Sequence, residues 1–268
     1  MNFTCNICGH AVTHLAMEQL EREGGACQEC GSTVRLRSLI HLLSTNLFGN
    51  SLPLSKWPAR PDITGIGISD WYRFEEYFAG KVSYTNMQFD REPFLDITKP
   101  DAKHRKTADF IICSEVLEHV APPARLGFEG LYSMLKPGGV LIFTVPYGLG
   151  QTQEHYPDLF DWKLEQLGTQ LMLVNTTRSG FRQTFSNLVF HGGWGEVLEM
   201  RVFGLQDIID HFEAAAFTDL HIMEDDVPDY GICFKETWSL PMTARRPLRG
   251  KNSSWSWIFR GLIRKWLR

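Results

Sequence analysis

Residues 109–146 constrain the fold more than any other part of the chain. Apolar runs at 109–113 and 140–145 flank a stretch over 126–135 in which apolar residues recur at helical spacing. Short apolar runs of this kind are typical of parallel strands that are buried on both faces. The KPGG sequence at 136–139 ends the helix, because proline cannot continue it and glycine adopts left-handed backbone geometry. The segment therefore predicts a strand–helix–strand crossover in an open α/β sheet.

Two motifs in this segment carry a family resemblance. The EVLEHV sequence at 115–120 and the LKPGG sequence at 135–139 resemble the fourth strand, its loop and the approach to the fifth strand of class I S-adenosylmethionine-dependent methyltransferases. The resemblance implies an α/β fold with a Rossmann-like seven-stranded methyltransferase sheet, and S-adenosylmethionine as cofactor. Ser114 and Glu115 then lie at the carboxyl end of the sheet, where doubly wound folds bind ligands.

A glycine-rich turn at residues 62–70 predicts the first strand and its cofactor loop. Gly65 and Gly67 would let the backbone approach the cofactor, with Ser69 and Asp70 beside them. The turn departs from the family pattern, because Ser69 stands at the usual third glycine and Ile63 at the usual acid. We therefore expect Asp70 to take part in holding the cofactor's amino group.

The next two segments complete the expected cofactor site. The second strand, over 81–86, ends in Asn86, where the family has an acid that binds the ribose hydroxyls, so the ribose contact is assigned to no residue. Asp96 matches the family's aspartate near the adenine amino group. The alternative for Asp96 is an acid in a surface turn.

Four cysteines in two Cys-x-x-Cys pairs predict a metal site near the N-terminus. Cys5 and Cys8 are separated from Cys27 and Cys30 by 18 residues, and glycine follows each pair. Four thiolates at this spacing predict a closed tetrahedral structural zinc site, a zinc ribbon. A redox dithiol and an iron–sulfur cluster are the alternatives. The N-terminal sequence lacks the pattern of a secretory signal, so the pairs favour metal over disulfides and a cytoplasmic location.

The sequence divides into four parts. We predict a zinc ribbon and connecting helix at 1–48, a linker at 49–61, a methyltransferase domain at 62–243 and a basic tail at 244–268. The connecting helix would start after Ser32 or Thr33 and end near Phe48. Arg35 and Arg37 lie in its first turns, where they could meet a substrate anion or pair with acidic residues.

Three histidines are candidate catalytic residues. His119 follows the fourth strand, and His155 and His191 belong to a polar, aromatic insert at 146–195 that leaves the strand beside the cofactor. An imidazole can serve as a general base near neutral pH. We expect the insert to choose the methyl acceptor; the alternative is a rigid insert with structural histidines.

Charge is distributed unevenly. Residues 244–268 contain eight of the 27 Lys and Arg residues and no acid, so the remainder has 19 basic against 31 acidic residues. An acidic body argues against nucleic acid as a partner. The tail at 253–268 alternates tryptophans with basic residues at helical spacing, which predicts peripheral contact with the inner membrane face; packing on the acidic body or in an oligomer is the alternative.

Three functional hypotheses follow. The first is O-methylation of a small molecule or surface-glycan precursor. The second is methylation of RNA or protein, with the ribbon as the recognition module. The third is a non-catalytic binding or scaffold protein, which the departures at Ile63, Ser69 and Asn86 would suit.

Overall fold

The computed structural model describes residues 1–191 and 197–248. Its helices are α1 (Val34–Phe48), α2 (Phe74–Phe78), α3 (Arg125–Met134) and α4 (Leu205–Ala214). Its strands are β1 (Phe3–Thr4), β2 (Ala11–Val12), β3 (Arg60–Ile68), β4 (Val82–Met87), β5 (Ala108–Ser114), β6 (Leu135–Thr144), β7 (Tyr147–Gly148), β8 (Gln153–Glu154), β9 (Asp161–Leu167), β10 (Gln170–Thr176), β11 (Arg182–Phe185), β12 (Phe190–His191), β13 (Val197–Leu198), β14 (Arg201–Gly204), β15 (Thr218–Ile222) and β16 (Met242–Arg245).

The central sheet has the order β15-β16-β6-β5-β3-β4. Strands β4, β3, β5 and β6 are parallel, whereas β16 runs antiparallel to both of its neighbours. This mixed sheet confirms the predicted Rossmann-like class. It has six strands instead of seven, because the segment before Asp96 contributes only an isolated parallel bridge between Gln88 and Phe94. That segment is charged and contains Pro93, which has no N–H to add to a ladder.

The predicted crossover is confirmed as β5, α3 and β6. The second strand begins earlier than expected, at Leu135, so the glycines at 138 and 139 lie inside β6. Ala108 pairs with Leu135, and the register then shifts before Phe110 pairs with Val140. The helix therefore passes directly into the strand, and the glycines lie in the irregular part of the ladder.

The helix after the cysteine pairs is also confirmed. The Oγ1 of Thr33 accepts a hydrogen bond from the backbone N of Leu36 at 3.2 Å, and Gly49 ends α1 with φ 74°. This is the capping pattern that Thr and Gly favour. The short helix α2 follows the loop after β3 and begins at Phe74.

The sheet is covered on both faces. Helices α3 and α4 pack on one face. The cysteine-bearing segment and α1 pack on the other, in one hydrophobic cluster with Phe110 and Ile142 of the sheet. Trp57, from the predicted linker at 49–61, is 3% exposed in that cluster. The predicted ribbon and methyltransferase domain thus share a core.

The predicted boundary between residues 243 and 244 falls within a strand. It cuts through β16, whose Ala244 is fully buried and whose Arg245 donates to Asn46 Oδ1 at 2.6 Å. The strand is short and is followed by basic sequence, so its own residues give little strand signal. It is the partner of β15, and residues 228–230 form a 3-10 turn.

The described part of the predicted insert at 146–195, which ends at residue 191, forms small sheets beside the main one. Strands β9, β10 and β11 make an antiparallel sheet, and β14 pairs with β7 and β8. The tail at 253–268 lies outside the described residues. Among the helices that the structure describes, none has the length and apolar character needed to cross a membrane.

Candidate active site

The carboxyl ends of β3 and β5 form the rim of the candidate site. Ser69 follows β3 with φ 47°, and Glu115 follows β5 with φ 56°. Such positive angles are uncommon for residues other than glycine and turn the chain sharply. The Oγ of Ser114 lies 2.7 Å from Thr144 Oγ1, and the backbone N of Glu115 donates to Thr144 O at 3.0 Å. Thr144 of β6 therefore holds the end of β5 in place.

Gly65 and Gly67 are required by close packing within the sheet. A Cβ at Gly65 would overlap the ring of Phe110, and a Cβ at Gly67 would overlap the hydroxyl of Tyr84. The protein's own aromatic side chains thus explain why both positions need glycine. Their contact with a cofactor stays a prediction.

The loop after β3 is held by a polar network. Asn86 Oδ1 accepts from the backbone N of Asp70 at 2.9 Å, and its Nδ2 donates to Asp70 O at 2.8 Å. The Asp70 carboxylate accepts from the backbone N of Trp71 and the hydroxyl of Tyr84. Burial raises the pKa of Asp70 to about 7. Asn86 therefore holds this loop in place, and its side-chain amide already forms hydrogen bonds with the Asp70 backbone.

Asp96 has a local partner. Its Oδ1 accepts from the backbone N and the Oγ1 of Thr98, at 2.8 and 2.7 Å. This is a self-contained turn, which matches the alternative of a turn acid. Its expected role near adenine stays a prediction.

Two arginines from the N-terminal segment reach the rim. Arg22 donates to Glu115 Oε1 at 2.7 Å, and Arg35 donates to Ser114 Oγ at 2.6 Å. Both side chains are largely buried, at 15% and 18% exposed. Burial opposes ionisation of Glu115, but the two guanidinium groups outweigh it and lower the pKa of that carboxyl.

The sequence predicts only one of these two arginines. Arg35 is a possible anion partner in the first turn of α1, whereas Arg22 lies in a segment with no motif. The two are linked, since the backbone N of Arg35 donates to Arg22 O at 3.2 Å.

A cavity of about 340 Å³ opens next to the rim. Its walls come from the N-terminal segment and from residues 233–241, and they include Arg22, Arg35, Trp238 and Ser239. Arg22 belongs to both the cavity and the rim, because it also donates to Ser239 Oγ and lies 5.2 Å from the Trp238 ring centre. Arginine and carboxylate side chains there could hold the zwitterionic end of an amino-acid cofactor.

The four predicted metal ligands come together. The Sγ atoms of Cys5 and Cys30 lie 3.7 Å apart, those of Cys8 and Cys27 lie 3.6 Å apart, and all four are within 4.8 Å of one another. Tetrahedral thiolates on Zn–S bonds of about 2.3 Å would be about 3.8 Å apart. The donor set and its spacing therefore fit zinc.

The three predicted catalytic histidines also converge. They meet around Glu118 and Glu199, which sequence reasoning did not single out. His155 Nε2 lies 2.9 Å from Glu199 Oε1, and His191 Nδ1 lies 3.8 Å from Glu199 Oε2. Glu118 Oε1 lies 3.7 Å from His119 Nε2 and 3.6 Å from His191 Nδ1.

The segment just after the insert positions this histidine cluster. The backbone N of Met200 donates to Glu118 O at 2.7 Å, and the backbone N of His155 donates to Met200 O at 2.8 Å. The fully buried Arg201 of β14 donates to the carbonyls of Leu117 and Val120, on either side of Glu118 and His119. The insert and the loop after β5 are thus joined at the site.

Burial governs the ionisation of the cluster. It raises the pKa of Glu118 well above its usual value, and the neighbouring Glu115 acts in the same direction. Burial likewise lowers the pKa of His119. Both residues therefore favour their neutral forms when no cation is nearby.

Comparison with known proteins agrees with this geometry. A family profile described as "Methyltransferase domain" matches residues 49–183, just over half of the chain. Among curated proteins, none matches significantly.

Similar solved structures include three methyltransferases. The 1,6-didemethyltoxoflavin-N1-methyltransferase of Burkholderia thailandensis is 14% identical, with a TM-score of 0.44 over 79% of this chain and 78% of that one. A methyltransferase from Clostridium acetobutylicum is 14% identical, with a TM-score of 0.42 over 77% and 97%. An amino pentose methyltransferase from Micromonospora echinaspora is 16% identical, with a TM-score of 0.39 over 70% and 85%.

The family match covers β3 to β11 and so includes the rim at Ser114 and Glu115. The chain belongs to the methyltransferase-domain family and is an S-adenosylmethionine-dependent methyltransferase.

Proposed function

We propose that the enzyme methylates a hydroxyl oxygen of a small molecule or surface-glycan precursor. The observation that carries the proposal is the convergence of His119, His155 and His191 with two glutamates, beside the loop that follows the rim residue Glu115. A hydroxyl is a weak nucleophile until its proton has an acceptor, and an imidazole held by a carboxylate supplies one.

The rim would hold the methyl donor. When bound, S-adenosylmethionine supplies a methyl group on a positively charged sulfur, and the sulfur keeps the electron pair of the broken C–S bond. We assign its carboxylate to Arg22 and Arg35, and its amino group to Asp70 and Glu115. This assignment is supported by opposite charges placed together in a largely buried site.

Other predicted contacts complete the donor site. Gly65, Gly67 and Ser69 lie on the strand and turn that lead to Asp70, and Ser114 immediately precedes Glu115. We retain Asp96 as the candidate for the adenine amino group.

His155 is our candidate general base. Its Nε2 is paired with Glu199 at 2.9 Å, which orients the ring and places a proton on Nε2, since a carboxylate accepts the hydrogen bond. His155 would take the hydroxyl proton at its other ring nitrogen, Nδ1, as the acceptor oxygen forms its bond to the methyl carbon. The side chain is 22% exposed, so it is partly shielded but open to an acceptor.

We further propose that Cys5, Cys8, Cys27 and Cys30 hold a structural zinc ion. Four thiolates leave no open coordination position, so the ion would organise the chain and take no part in the chemistry. Arg22 lies between the two cysteine pairs, and Arg35 follows the second. Zinc would therefore position the two arginines of the donor site.

Nothing in the described structure favours RNA or protein recognition by the ribbon. Its arginines at 22 and 35 point into the rim, and one of its faces is packed in the hydrophobic core. An exposed basic surface is what nucleic-acid recognition would need.

Mass spectrometry of reaction products tests the proposed function. The full-length enzyme would be incubated with S-adenosylmethionine and hydroxyl acceptors, including sugars, nucleotide sugars and small-molecule cell extract. We expect a product that carries one added methyl group on oxygen, and at least a hundredfold slower turnover in His155→Ala, as removal of a general base predicts.

His221→Ala is the matched control, because His221 is exposed and lies on β15 away from the site. Methylation of RNA or protein with no methylated small molecule would overturn the proposal. So would methylation on nitrogen or carbon alone.

A further inference from the structure

Glu118 is buried without a hydrogen-bond partner. Its side chain is 0% exposed, and within the described part of the chain neither carboxylate oxygen is hydrogen-bonded to another residue. An uncompensated buried carboxylate is costly, and such groups are normally paired or bound to a metal. Glu118 therefore lacks the partner that its position requires.

Two imidazole nitrogens face this carboxylate at an intermediate distance. His119 Nε2 and His191 Nδ1 lie 3.7 and 3.6 Å from Glu118 Oε1, too far for a hydrogen bond. One ligand atom from each residue lies within 4.8 Å of the others. A cation about 2.0–2.2 Å from each ligand atom keeps neighbouring ligands roughly 3–4 Å apart, so the spacing suits a shared ion.

His119 is held in the form that can bind a cation. Its Nδ1 lies 2.8 Å from the carbonyl oxygen of Leu198. Because a carbonyl only accepts hydrogen bonds, the proton is on Nδ1 and the lone pair is on Nε2, the nitrogen near Glu118. Metal-binding histidines usually have their second nitrogen anchored in this way.

Glu199 offers a fourth candidate ligand atom. Its Oε2 lies 3.8 Å from His191 Nδ1, while Oε1 is paired with His155. The Glu199 side chain is 15% exposed. It approaches His191, the histidine that also faces Glu118. The group of Glu118, His119 and His191 thus has a second carboxylate beside it, next to His191.

We propose that Glu118, His119, His191 and Glu199 bind a divalent transition-metal cation. Mixed imidazole and carboxylate ligands suit ions such as Mn²⁺, Fe²⁺ and Zn²⁺. The site is distinct from the four cysteines, whose thiolates form a separate cluster.

A cation bound at this proposed site could help to deprotonate the acceptor hydroxyl. A hydroxyl bound to a divalent cation loses its proton more easily, and His155 lies next to the ligand Glu199. This role deepens the proposed O-methylation and rests on it. Cation binding itself does not rest on it.

Manganese binding to the full-length protein tests the site. Mn²⁺ is a suitable probe because it prefers oxygen and nitrogen ligands to thiolates. The protein would be freed of loosely bound metal by dialysis, and the zinc content would be checked by elemental analysis. Loss of the free Mn²⁺ signal in electron paramagnetic resonance then measures binding, without S-adenosylmethionine or acceptor.

We expect one Mn²⁺ per chain, and affinity at least about tenfold weaker in both Glu118→Gln and His191→Ala. His191 is 43% exposed, so its variant should fold even if the Glu118 variant does not. The control His221→Ala should bind like the wild type.

Absence of Mn²⁺ binding to the wild type would overturn the proposal. Equal binding by the wild type, Glu118→Gln and His191→Ala would do so as well. Either result would leave the product assay unaffected, so failure of the metal site and failure of the proposed methylation are distinguishable.

Discussion

Replacement of Arg201 by methionine tests how β14 supports the site. The guanidinium is fully buried, pairs with Glu154 at 2.7 Å and donates to Val120 O at 2.6 Å and Leu117 O at 3.2 Å. Methionine keeps much of the apolar volume and removes every donor. The loop that carries Glu118 and His119 would lose its attachment to β14.

The magnitude follows from which groups lose their partners. Val120 O would be left unpaired at a cost of about 1–3 kcal/mol, whereas Leu117 O still accepts from the backbone N of Val120. Glu154 is 34% exposed, so solvent screening keeps the cost of losing its ion pair with Arg201 below about 1 kcal/mol. Methionine would also relieve the buried, unpaired Nη2 of Arg201. We expect a net destabilisation of about 2 kcal/mol, or a fall in Tm of roughly 4–8 °C.

Thermal and urea denaturation of the full-length protein would measure this effect. Arg178→Met is the matched control, because Arg178 is exposed and contacts only the Phe160 ring among the contacts described. Turnover should fall in Arg201→Met even well below its Tm, since the histidine cluster is displaced. If Arg201→Met lowers the free energy of unfolding by less than about 0.5 kcal/mol and leaves turnover normal, Arg201 does not hold the site in place.

Three further changes have defined outcomes. Gly65→Ala should destabilise the protein by about 1–3 kcal/mol in urea titrations, because its Cβ would overlap the Phe110 ring; an unchanged midpoint would contradict this packing. The pKa of Asp70 is about 7 when folded, above its usual 3.8, so its contribution to stability is present below pH ~4 and lost as pH rises through 7. Asp70→Asn should flatten that part of the stability–pH profile, and an unchanged profile would show that Asp70 does not titrate there. Cys27→Ser should lower the zinc content of the protein and weaken S-adenosylmethionine binding in calorimetry, because Arg22 would be displaced. Normal S-adenosylmethionine affinity in a variant that lacks zinc would show that the donor site does not depend on the zinc site.

Local signals accounted for the main elements. The strand–helix–strand segment, the Thr33 cap and the Gly49 stop depend on neighbouring residues, so the sequence predicted them well. The cysteine pairs are similarly local, and the fold only had to bring two turns together. The predicted seventh strand is reduced to one bridge, and the short β16 was not predicted, because strand pairing depends on distant partners more than on a segment's own composition.

The candidate site divides along the same line. The sequence alone predicts that Ser114 and Glu115 end a buried strand and that His119 follows them, because a strand and its loop are contiguous in the chain. Only the tertiary structure brought Arg22 to Glu115, across 93 positions, and His191 to Glu118, across 73. Burial then decided the chemistry, since it raises the pKa of Glu118, a carboxyl group that looks ordinary in sequence and that is left without a hydrogen-bond partner.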